Sequence, residues 1–318
     1  MRTIAQRCLY GVDRNPMAVD LAKLSLWLAT LAKDHPFTFL DHSIRSGDSL
    51  VGLTTKQIAA FTWGPTAGVQ RLLGQDRLEK RIAAAIAYRR DILEAGDLLL
   101  PSLKTQKLQL ADEALDEIRF VGDLALAGFF GAEKDKARQG LRDDLLQRYA
   151  ATASDIVGRL ELKKILAKLR GAQFPVTPFH WDIEFPEVFD RGHPGFDAIV
   201  GNPPFLGGRR ISTVNGIPYF EFLRTAYEPA GNTCDLVAYF FRRAFNLLNV
   251  QGKLGLVATN TIAQGDTRAG GLSVIRKSGG RIYNATRRQR WPGQAGVIVS
   301  IIVLSRTSEC PSPRLDGN

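Results

Sequence analysis

The chain has 318 residues, of which 45% are hydrophobic, a content too high for a disordered protein and sufficient for a core of one or two domains. Its net charge of +10 and pI near 9.7 suit a nucleic-acid partner, although many other proteins are basic. No apolar run reaches transmembrane length, and Met1–Gln6 lacks the run of a signal peptide, so we expect a cytoplasmic protein without a membrane partner.

The cysteines and histidines do not suggest a cross-linked or metal-binding protein. The cysteines are odd in number and far apart, so neither a disulfide framework nor a zinc site is indicated. The histidines show no ligand spacing, and we predict no metal site. The residues concerned are Cys8, Cys234, Cys310, His35, His42, His180 and His193.

The first predicted elements are a strand and a helix. Leu9–Asp13 reads as a strand that ends in an acid, and Asn15 and Pro16 start a helix that runs to about Lys33. In nucleotide-binding α/β sheets, an Asp at the end of the second strand can accept both ribose hydroxyls of an adenosine cofactor. Taken singly, Asp13 is more often a turn or N-cap residue than a ligand.

A further strand and a Gly-Asp-Ser turn follow. The segments Phe37–Leu40 and Ile44–Leu50 contain them, with Ser49 and Leu50 completing the turn. Asp48 could accept a hydrogen bond from the adenine amino group of the same cofactor, or it could be an ordinary turn residue. The order of Asp13 and Asp48 along the chain favours the cofactor-binding reading of both.

A long helical insert is predicted between residues 55 and 178. Its mixed charges indicate a solvated helix surface more than a DNA-contacting one. The predicted helices are Arg77–Glu94, Leu108–Leu126, Lys134–Ala150 and Ser154–Leu169. His180–Phe189 then returns the chain to the sheet. The predicted domains are a cofactor-binding half (1–54), the insert (55–178), a catalytic half (179–306) and a disordered tail (307–318).

The most informative segment begins with a predicted strand. Phe196–Val200 has the length and β-branched content of a buried strand. After Gly201 and Asn202, two prolines end sheet pairing because neither has an N–H to donate. In open α/β sheets, ligands bind at the carboxyl ends of the strands. The sequence therefore predicts an Asn side chain, a rigid turn and an aromatic ring at a ligand-binding edge.

The chemistry that this turn suits is methylation of an exocyclic amino group. The Asn202 side chain and the Pro203 backbone each supply a carbonyl oxygen that can accept a hydrogen bond from one of the two amino N–H groups. These two hydrogen bonds free the nitrogen lone pair to attack a methyl group. Pro204 fixes the backbone, and Phe205 can stack on a flat base. The alternative is that Asn-Pro-Pro is an ordinary turn.

Beyond the turn, we predict a polar loop over residues 207–232 that could close over a flipped base, with Tyr219 and Phe220 as stacking faces. An amphipathic helix, Asp235–Leu248, ends near Gly252. The strands predicted after it are Leu254–Thr259, Arg281–Ala285 and Gly296–Leu304, with Thr259–Thr261 near the base pocket. Between the last two strands lies a loop of Arg287, Arg288, Arg290 and Trp291, for which phosphate contact and simple surface charge are equally good readings.

Taken together, these motifs resemble those of adenine-specific, S-adenosylmethionine-dependent DNA methyltransferases. The chain is most similar to the methylase modules of type IIG restriction-modification and phage-defence enzymes. The resemblance is carried by Tyr10–Val19, Leu26–Leu28, Gly47–Gly52, Asp197–Phe205, Gly252–Val257 and Trp291–Ala295. It implies an α/β, Rossmann-like methyltransferase sheet with a helical insert. It also implies cofactor contacts at Asp13, Asn15, Pro16, Asp48, Ser49, Leu50 and Asn202, and catalysis by Asn202, Pro203, Pro204 and Phe205.

The chain departs from the family at its start. The family opens with a central strand and a Gly-rich loop that cradles the methionine part of the cofactor. Here the strand Leu9–Asp13, which corresponds to the family's second strand, is preceded by only eight residues, and these leave no room for either feature. We therefore expect the carboxyl-terminal part of a methylase, with exposed apolar strand edges. The loop would come from an upstream chain or domain, and sequence recognition from a separate domain.

The function that the resemblance implies is methyl transfer to adenine N6 in double-stranded DNA, after base flipping. Three alternatives remain. Cytosine-N4 methyltransferases share the chemistry but more often have Ser at the position of Asn202. Protein-glutamine methyltransferases use the same turn without so large an insert. The third is an inactive or split fragment that binds DNA and needs a partner chain. No nuclease motif is present, so cleavage is not predicted.

Overall fold

The chain folds as two compact units, Met1–Glu187 and Val188–Asn318. A computed structural model describes residues 2–30, 39–67, 75–95, 98–152, 155–291, 297–307 and 312–317. The predicted domain boundaries at residues 54, 178 and 306 stay predictions. The first unit ends within the return segment, and residues 177–181 at the start of this region pack against the turn that contains Asp48.

The first unit contains a small parallel sheet. Its strands are β1 (Gly11–Asp13) and β2 (Ile44–Ser46), with Asp13 opposite Ser46. Helix α1 (Arg2–Cys8) precedes β1 and was not predicted, whereas helix α2 (Pro16–Ala29) connects the strands as expected. The connection is the strand–helix–strand unit that parallel pairing requires.

The core of this sheet corrects one predicted strand. Of the predicted strand Phe37–Leu40, the first two residues lie outside the described residues, and Phe39 and Leu40 are not in a strand. Leu40, which is 1% exposed, instead packs in a core cluster with Val19 and Ile44. Helix α2 ends at Ala29 with Thr30 as its C-cap, and residues 31–33 of its predicted length fall outside the described residues.

The insert is helical, as predicted. Its apolar residues recur at helical spacing, and the long fifth helix is buried along its second half. The helices of this region are α3 (Thr55–Ala59), α4 (Gln75–Ala95), α5 (Pro101–Phe130), α6 (Asp135–Ala151) and α7 (Ile156–Arg170). The return segment forms α8 (Trp181–Glu184) and α9 (Pro186–Phe189).

A charge cluster of two carboxylates and two arginines lies in the first unit. Arg119 donates from Nε to Glu184 Oε1 at 2.7 Å, and its Nη2 lies 2.8 Å from Asp112 Oδ1. Arg45 contributes contacts of 3.3 Å to Glu184 and 3.1 Å to Asp112. Burial alone would raise the pKa of Glu184, but the charges of Arg119 and Arg45 outweigh it, so the pKa of Glu184 lies below its ordinary value.

Replacing Glu184 by glutamine is expected to lower the free energy of unfolding at neutral pH, and this loss should shrink in acid. Because the folded-state pKa of Glu184 is lowered, its carboxylate stabilises the fold above the ordinary value of 4.5, and that contribution is lost as pH falls through the folded-state pKa. Urea unfolding of both proteins across acidic pH measures the effect. A constant difference between them at every pH would contradict it.

The second unit is built on a five-stranded sheet in the order β3-β4-β6-β5-β7. Strand β3 is parallel to β4, β6 is antiparallel to both β4 and β5, and β7 is parallel to β5. Strands β3, β4 and β5 therefore run in the same direction. The strands are β3 (Phe196–Gly201), β4 (Leu248–Thr259), β5 (Arg281–Arg290), β6 (Ile298–Ser305) and β7 (Arg314–Leu315).

The helices of this unit correct the predicted loop. They are α10 (Gly208–Asn215), α11 (Ile217–Ala226), α12 (Leu236–Leu247), α13 (Gly265–Gly270) and α14 (Leu272–Lys277). The loop predicted over residues 207–232 is largely wrong, because Gly216 at φ 88° separates two helices that bury an apolar face. Tyr219 belongs to that face and is 4% exposed, so it is not available as a stacking surface.

Strand β3 is present as predicted, but it is not buried. Among the residues that the structure describes, it lies at the edge of the sheet and pairs with β4 alone. Val200 is 84% exposed, which contradicts the expected buried strand and agrees with the expected apolar edge. An edge strand has a neighbour on one side only, so its side chains are covered less than those of central strands.

The carboxyl-terminal elements differ from the prediction in two ways. The arginines predicted to lie in a loop belong to strand β5, and most of the loop after it, residues 292–296, falls outside the described residues. Part of the predicted disordered tail is ordered, because Arg314–Leu315 pairs with Asn284 and Ala285. The backbone N–H of Arg287 also donates to Asp316 Oδ1 at 2.7 Å.

Candidate active site

The Asn-Pro-Pro-Phe turn begins where strand β3 ends, at Gly201. Asn202 and Pro204 are exposed, Pro203 is buried, and Phe205 is 36% exposed. Within the part of the chain that the structure describes, the Asn202 side chain makes no hydrogen bond. Its amide oxygen is thus free to accept from a ligand, and the Phe205 ring offers a flat apolar surface beside it.

The exit of the turn is fixed by Asp235. This buried carboxylate accepts from the backbone N–H of Leu206 at 3.3 Å and from that of Val237 at 3.0 Å, so one oxygen joins the turn to the start of α12. The backbone N–H of Leu236 donates to the carbonyl of Leu206 at 2.9 Å. The residue after Phe205 is therefore held by two hydrogen bonds to one helix N-terminus.

A close backbone approach reinforces this contact. A Cβ atom at Gly208 would lie 2.5 Å from the carbonyl carbon of Thr233, a distance at which real Cβ atoms are not found. Thr233 is in turn held by Asp266, which accepts from its hydroxyl at 2.7 Å. The turn thus rests on a fixed segment, which is what a preorganised site needs.

Replacing Asp235 by alanine is expected to lower stability by about 1–2 kcal/mol through the lost N-cap, and to lower kcat for methyl transfer further, through movement of the turn. Asp235→Asn keeps an oxygen acceptor and should retain most of the stability and most of kcat. Thermal unfolding and single-turnover rates measure the two effects separately. If Asp235→Ala changed stability alone, leaving kcat intact, Asp235 would be only a helix cap.

The polar side chains at the end of strand β4 form hydrogen bonds with one another and with β6. Asn260 Oδ1 accepts from the Ser300 hydroxyl at 2.8 Å, and the hydroxyls of Thr259 and Thr261 lie 2.6 Å apart. These residues lie at the same edge of the sheet as the turn, because β3 and β4 are parallel. The three predicted residues are therefore near the turn in sheet order, with their polar groups already partnered.

In the first unit, Asp13 lies at the carboxyl end of β1, as predicted. Its carboxylate is exposed, and Oδ1 accepts from the backbone N–H of Asn15 at 2.7 Å. Asn15 caps helix α2 by accepting from the N–H of Met17 at 3.0 Å, and Pro16 occupies the first helical turn. The second carboxylate oxygen of Asp13 accepts no hydrogen bond from the residues that the structure describes, so it can accept one from a ribose hydroxyl.

Asp48 has a different setting from Asp13. It is 3% exposed, and its Oδ1 accepts from the backbone N–H groups of Leu50 and Val51 at 3.0 and 3.3 Å. Arg14 lies 3.9 Å from Oδ2. The carboxylate shapes its own turn, so a direct contact between Asp48 and a cofactor stays a prediction. Leu50 is fully buried within the same turn.

The Asp48 turn is built against the return segment. The N–H of Asp48 donates to the carbonyl of Thr177 at 2.8 Å, and Trp181 Nε1 donates to the carbonyl of Ser49 at 3.0 Å. A Cβ at Gly52 would lie 2.0 Å from the carbonyl oxygen of Phe179, which leaves room for no side chain. A nucleotide-binding turn requires a fixed backbone of this kind. The residues that fix it lie more than a hundred positions later in the chain, so the sequence alone could not predict these contacts.

One residue that positions the turn was not predicted from the sequence. Asp235 was not singled out, although an Asp directly before an amphipathic helix is the usual signal of an N-cap. In the described residues, no group of three His, Cys, Asp or Glu side chains is placed to hold a metal ion. None of the helices that the structure describes has the length and apolarity needed to cross a membrane.

The α/β elements and the Asn-Pro-Pro-Phe turn at a strand end are the features by which the chain resembles methyltransferases. The profile of the Eco57I restriction-modification methylases matches residues 7–277, far more than half of the chain. The chain therefore belongs to the Eco57I restriction-modification methylase family, which confirms the predicted relationship to restriction-modification methylases and the α/β fold class.

Individual relatives are more distant. A protein of Methanocaldococcus jannaschii, provisionally named a type II restriction enzyme and methyltransferase, is 24% identical over 292 residues, covering 81% of this chain and 22% of the relative. The chain thus spans about a fifth of that relative's length.

Solved structures give weaker likenesses. The type IIL restriction-modification enzyme MmeI in complex with DNA is 19% identical, with a TM-score of 0.33, over 54% of this chain and 23% of that one. A protein of Listeria monocytogenes, provisionally named a class I S-adenosylmethionine-dependent methyltransferase, is 13% identical, with a TM-score of 0.30, over 76% of this chain and 93% of that one. These likenesses are too low to support further conclusions.

Proposed function

We propose that this chain transfers a methyl group from S-adenosyl-L-methionine to the N6 atom of adenine in double-stranded DNA. The proposal extends its membership of a restriction-modification methylase family to a particular reaction. The observation that carries it is the Asn202 amide, exposed at the carboxyl end of β3 with Pro203 and Phe205 beside it. It would act in the cytoplasm, within a restriction-modification or phage-defence system.

The reaction needs acceptors more than it needs a base. The adenine amino nitrogen is a weak nucleophile because its lone pair is delocalised into the ring. When the Asn202 and Pro203 carbonyl oxygens accept hydrogen bonds from its two N–H groups, the lone pair becomes available to attack the methyl group. The nitrogen forms a bond to the methyl carbon, the carbon–sulfur bond breaks with its electron pair going to sulfur, and one amino proton leaves to solvent. Phe205 stacks on the base that has left the duplex.

S-adenosyl-L-methionine supplies the electrophilic methyl group when bound. Asp13 fits it best, because an exposed carboxylate at a strand end can accept from ribose hydroxyls. Asn15 and Pro16 support this position by starting helix α2 directly after it. Asp48, Ser49 and Leu50 would shape the adjoining turn, and Asp48 would act through the backbone that it orders.

Adenine is preferred to cytosine as the target because the turn has Asn202, where cytosine-N4 methyltransferases more often have Ser. A protein-glutamine substrate is disfavoured by the five-helix insert, since such enzymes are small. Both alternatives use the same acceptor chemistry on a nitrogen, so they differ from the proposal in substrate and not in mechanism.

A second candidate function is a subunit that needs a complementing chain or domain. The exposed apolar edge of β3 favours it, since Val200 is 84% exposed on a strand with one neighbour. The complementing segment would add a strand and the Gly-rich loop that holds the methionine part of the cofactor. A further domain would recognise the DNA sequence.

Transfer of tritium from labelled S-adenosylmethionine tests the proposal. Bacterial DNA without adenine methylation and a glutamine-containing peptide serve as competing substrates. Label in DNA alone supports the proposal, whereas label in the peptide alone contradicts it. Label that appears in DNA only after an upstream methylase segment is added supports the complementation reading. In each case the Asn202→Ala variant should lose the signal.

A further inference from the structure

The carboxyl end of strand β5 carries three arginines within four residues, Arg287, Arg288 and Arg290, followed by Trp291. Because β5 runs in the same direction as β3, its end lies at the same edge of the sheet as the Asn-Pro-Pro-Phe turn. Two strands, β4 and β6, separate β5 from β3 in the sheet. At ~4.8 Å per strand spacing, β3 and β5 lie ~14 Å apart across the sheet. Gly201 is level with Ala285, so Arg288 and Arg290 lie a further ~7–14 Å along β5, which places them ~16–20 Å from the end of β3.

The strand is not regular where the arginines lie. Thr286 pairs with Ile301 and Gln289 with Val299, so β5 holds one residue more than its partner between these pairs. Arg288, in this bulge, has φ 53°, a left-handed conformation that residues other than glycine rarely adopt. Bulges of this kind redirect side chains and are typical of functional edges.

Two of the three arginine charges at the carboxyl end of β5 are available to bind a ligand. Arg287 is paired with Asp316 at 2.9 Å, which neutralises it. Arg288 and Arg290 are exposed, and neither has an ion-pair partner among the residues that the structure describes. Trp291 is 37% exposed beside them. At the same edge, the exposed Arg209 and Arg210 start the helix that follows the turn, so the edge is basic at both ends.

We propose that Arg288 and Arg290 bind backbone phosphates of the duplex beside the base that enters the turn. The proposal rests on the function proposed above. Phosphates follow one another at ~3.4 Å along the axis of one strand, so a separation of ~16–20 Å places the arginines about five or six nucleotides from the target. The bulge aims guanidinium groups at this flank, and the strain at Arg288 is retained for that contact.

The salt dependence of duplex binding tests this assignment. Fluorescence anisotropy of a labelled, adenine-containing duplex would be measured across NaCl concentrations for the wild type and for Arg288→Gly/Arg290→Ala. Glycine favours the left-handed backbone at residue 288, so the first change removes the charge without adding strain. The variant should bind more weakly, and the slope of log K against log salt should be shallower by about two.

A matched control is Arg77→Ala/Arg90→Ala, which removes the same charge from exposed positions of α4. An unchanged slope in Arg288→Gly/Arg290→Ala, or an equal change in the control, would overturn the assignment, as would a wild type that binds no duplex. Failure of the proposed function looks different: the wild type would bind with the full slope but transfer no label to DNA.

Discussion

Replacing Asn202 by alanine is expected to reduce the rate of methyl transfer to DNA by about 10²–10³-fold, while leaving the fold intact. The exposed amide has no hydrogen bond to any residue that the structure describes, so its loss removes a ligand contact and no structural one. The effect has the size seen when one preorganised group that stabilises a transition state is removed. Single-turnover transfer at saturating cofactor measures it.

The matched control for this change is Asn246→Ala, which removes an exposed amide from α12 in the same unit. It should transfer methyl groups at the wild-type rate, and both variants should unfold at the wild-type temperature. A rate for Asn202→Ala within about threefold of the wild type would mean that the turn does not hold the reacting amino group.

Replacing Arg89 by alanine is expected to lower the free energy of unfolding of the first unit by about 3–5 kcal/mol, because it leaves Glu187 with an uncompensated charge. Arg89 is fully buried. Its Nε and Nη2 donate to the two oxygens of Glu187 at 2.7 and 2.8 Å, and Nη2 also donates to the carbonyl of His42 at 2.6 Å. Chemical denaturation of the whole chain measures the change.

The neighbouring residue gives the control. Arg90 is exposed on the same helix, and Arg90→Ala should change stability by less than about 0.5 kcal/mol. The double variant Arg89→Met/Glu187→Met should be more stable than either single variant, since it removes both charges at once. If Arg89→Ala cost no more than Arg90→Ala, the buried pair would not be what holds α4 to the return segment.

Elements with strong local signals could be predicted from the sequence. The apolar spacing of Leu236–Leu247 and of the insert helices specifies a buried helix face, and most of these helices lie near their predicted bounds. Helix α5 is the exception, because it begins at Pro101, seven residues before the predicted start at Leu108, and the short helix α3 was not predicted. The two prolines after Asn202 disfavour further sheet pairing, because neither has a backbone N–H to donate. The turn at the end of β3 is therefore the part of the candidate site that the sequence could specify.

Features that depend on distant neighbours could not be predicted in this way. Whether Val200 is buried depends on which strand lies beside β3, and the sequence of β3 does not record that. Glycines indicate loops, yet Gly216 only separates two helices. The pairing of Arg314–Leu315 with β5 joins a polar tail to a strand about thirty residues earlier, without an apolar pattern to signal it.

The site residues divide in the same way. Asp13 is exposed at a strand end, as the order of elements predicts. Asp48 is buried because Thr177 and Phe179, more than a hundred residues later in the chain, form hydrogen bonds with its turn. Asp235 is also a long-range feature, since its contact with Leu206 spans 29 positions.

The most direct test of the account is to identify the methylated nucleoside. Bacterial DNA without adenine methylation would be incubated with the chain and with S-adenosylmethionine carrying a deuterated methyl group, then hydrolysed and analysed by mass spectrometry. The account predicts deuterated N6-methyladenine with the wild type and its loss with Asn202→Ala. Deuterated N4-methylcytosine in its place, or N6-methyladenine that persists in the variant, would contradict the assignment of Asn202 as the residue that activates adenine.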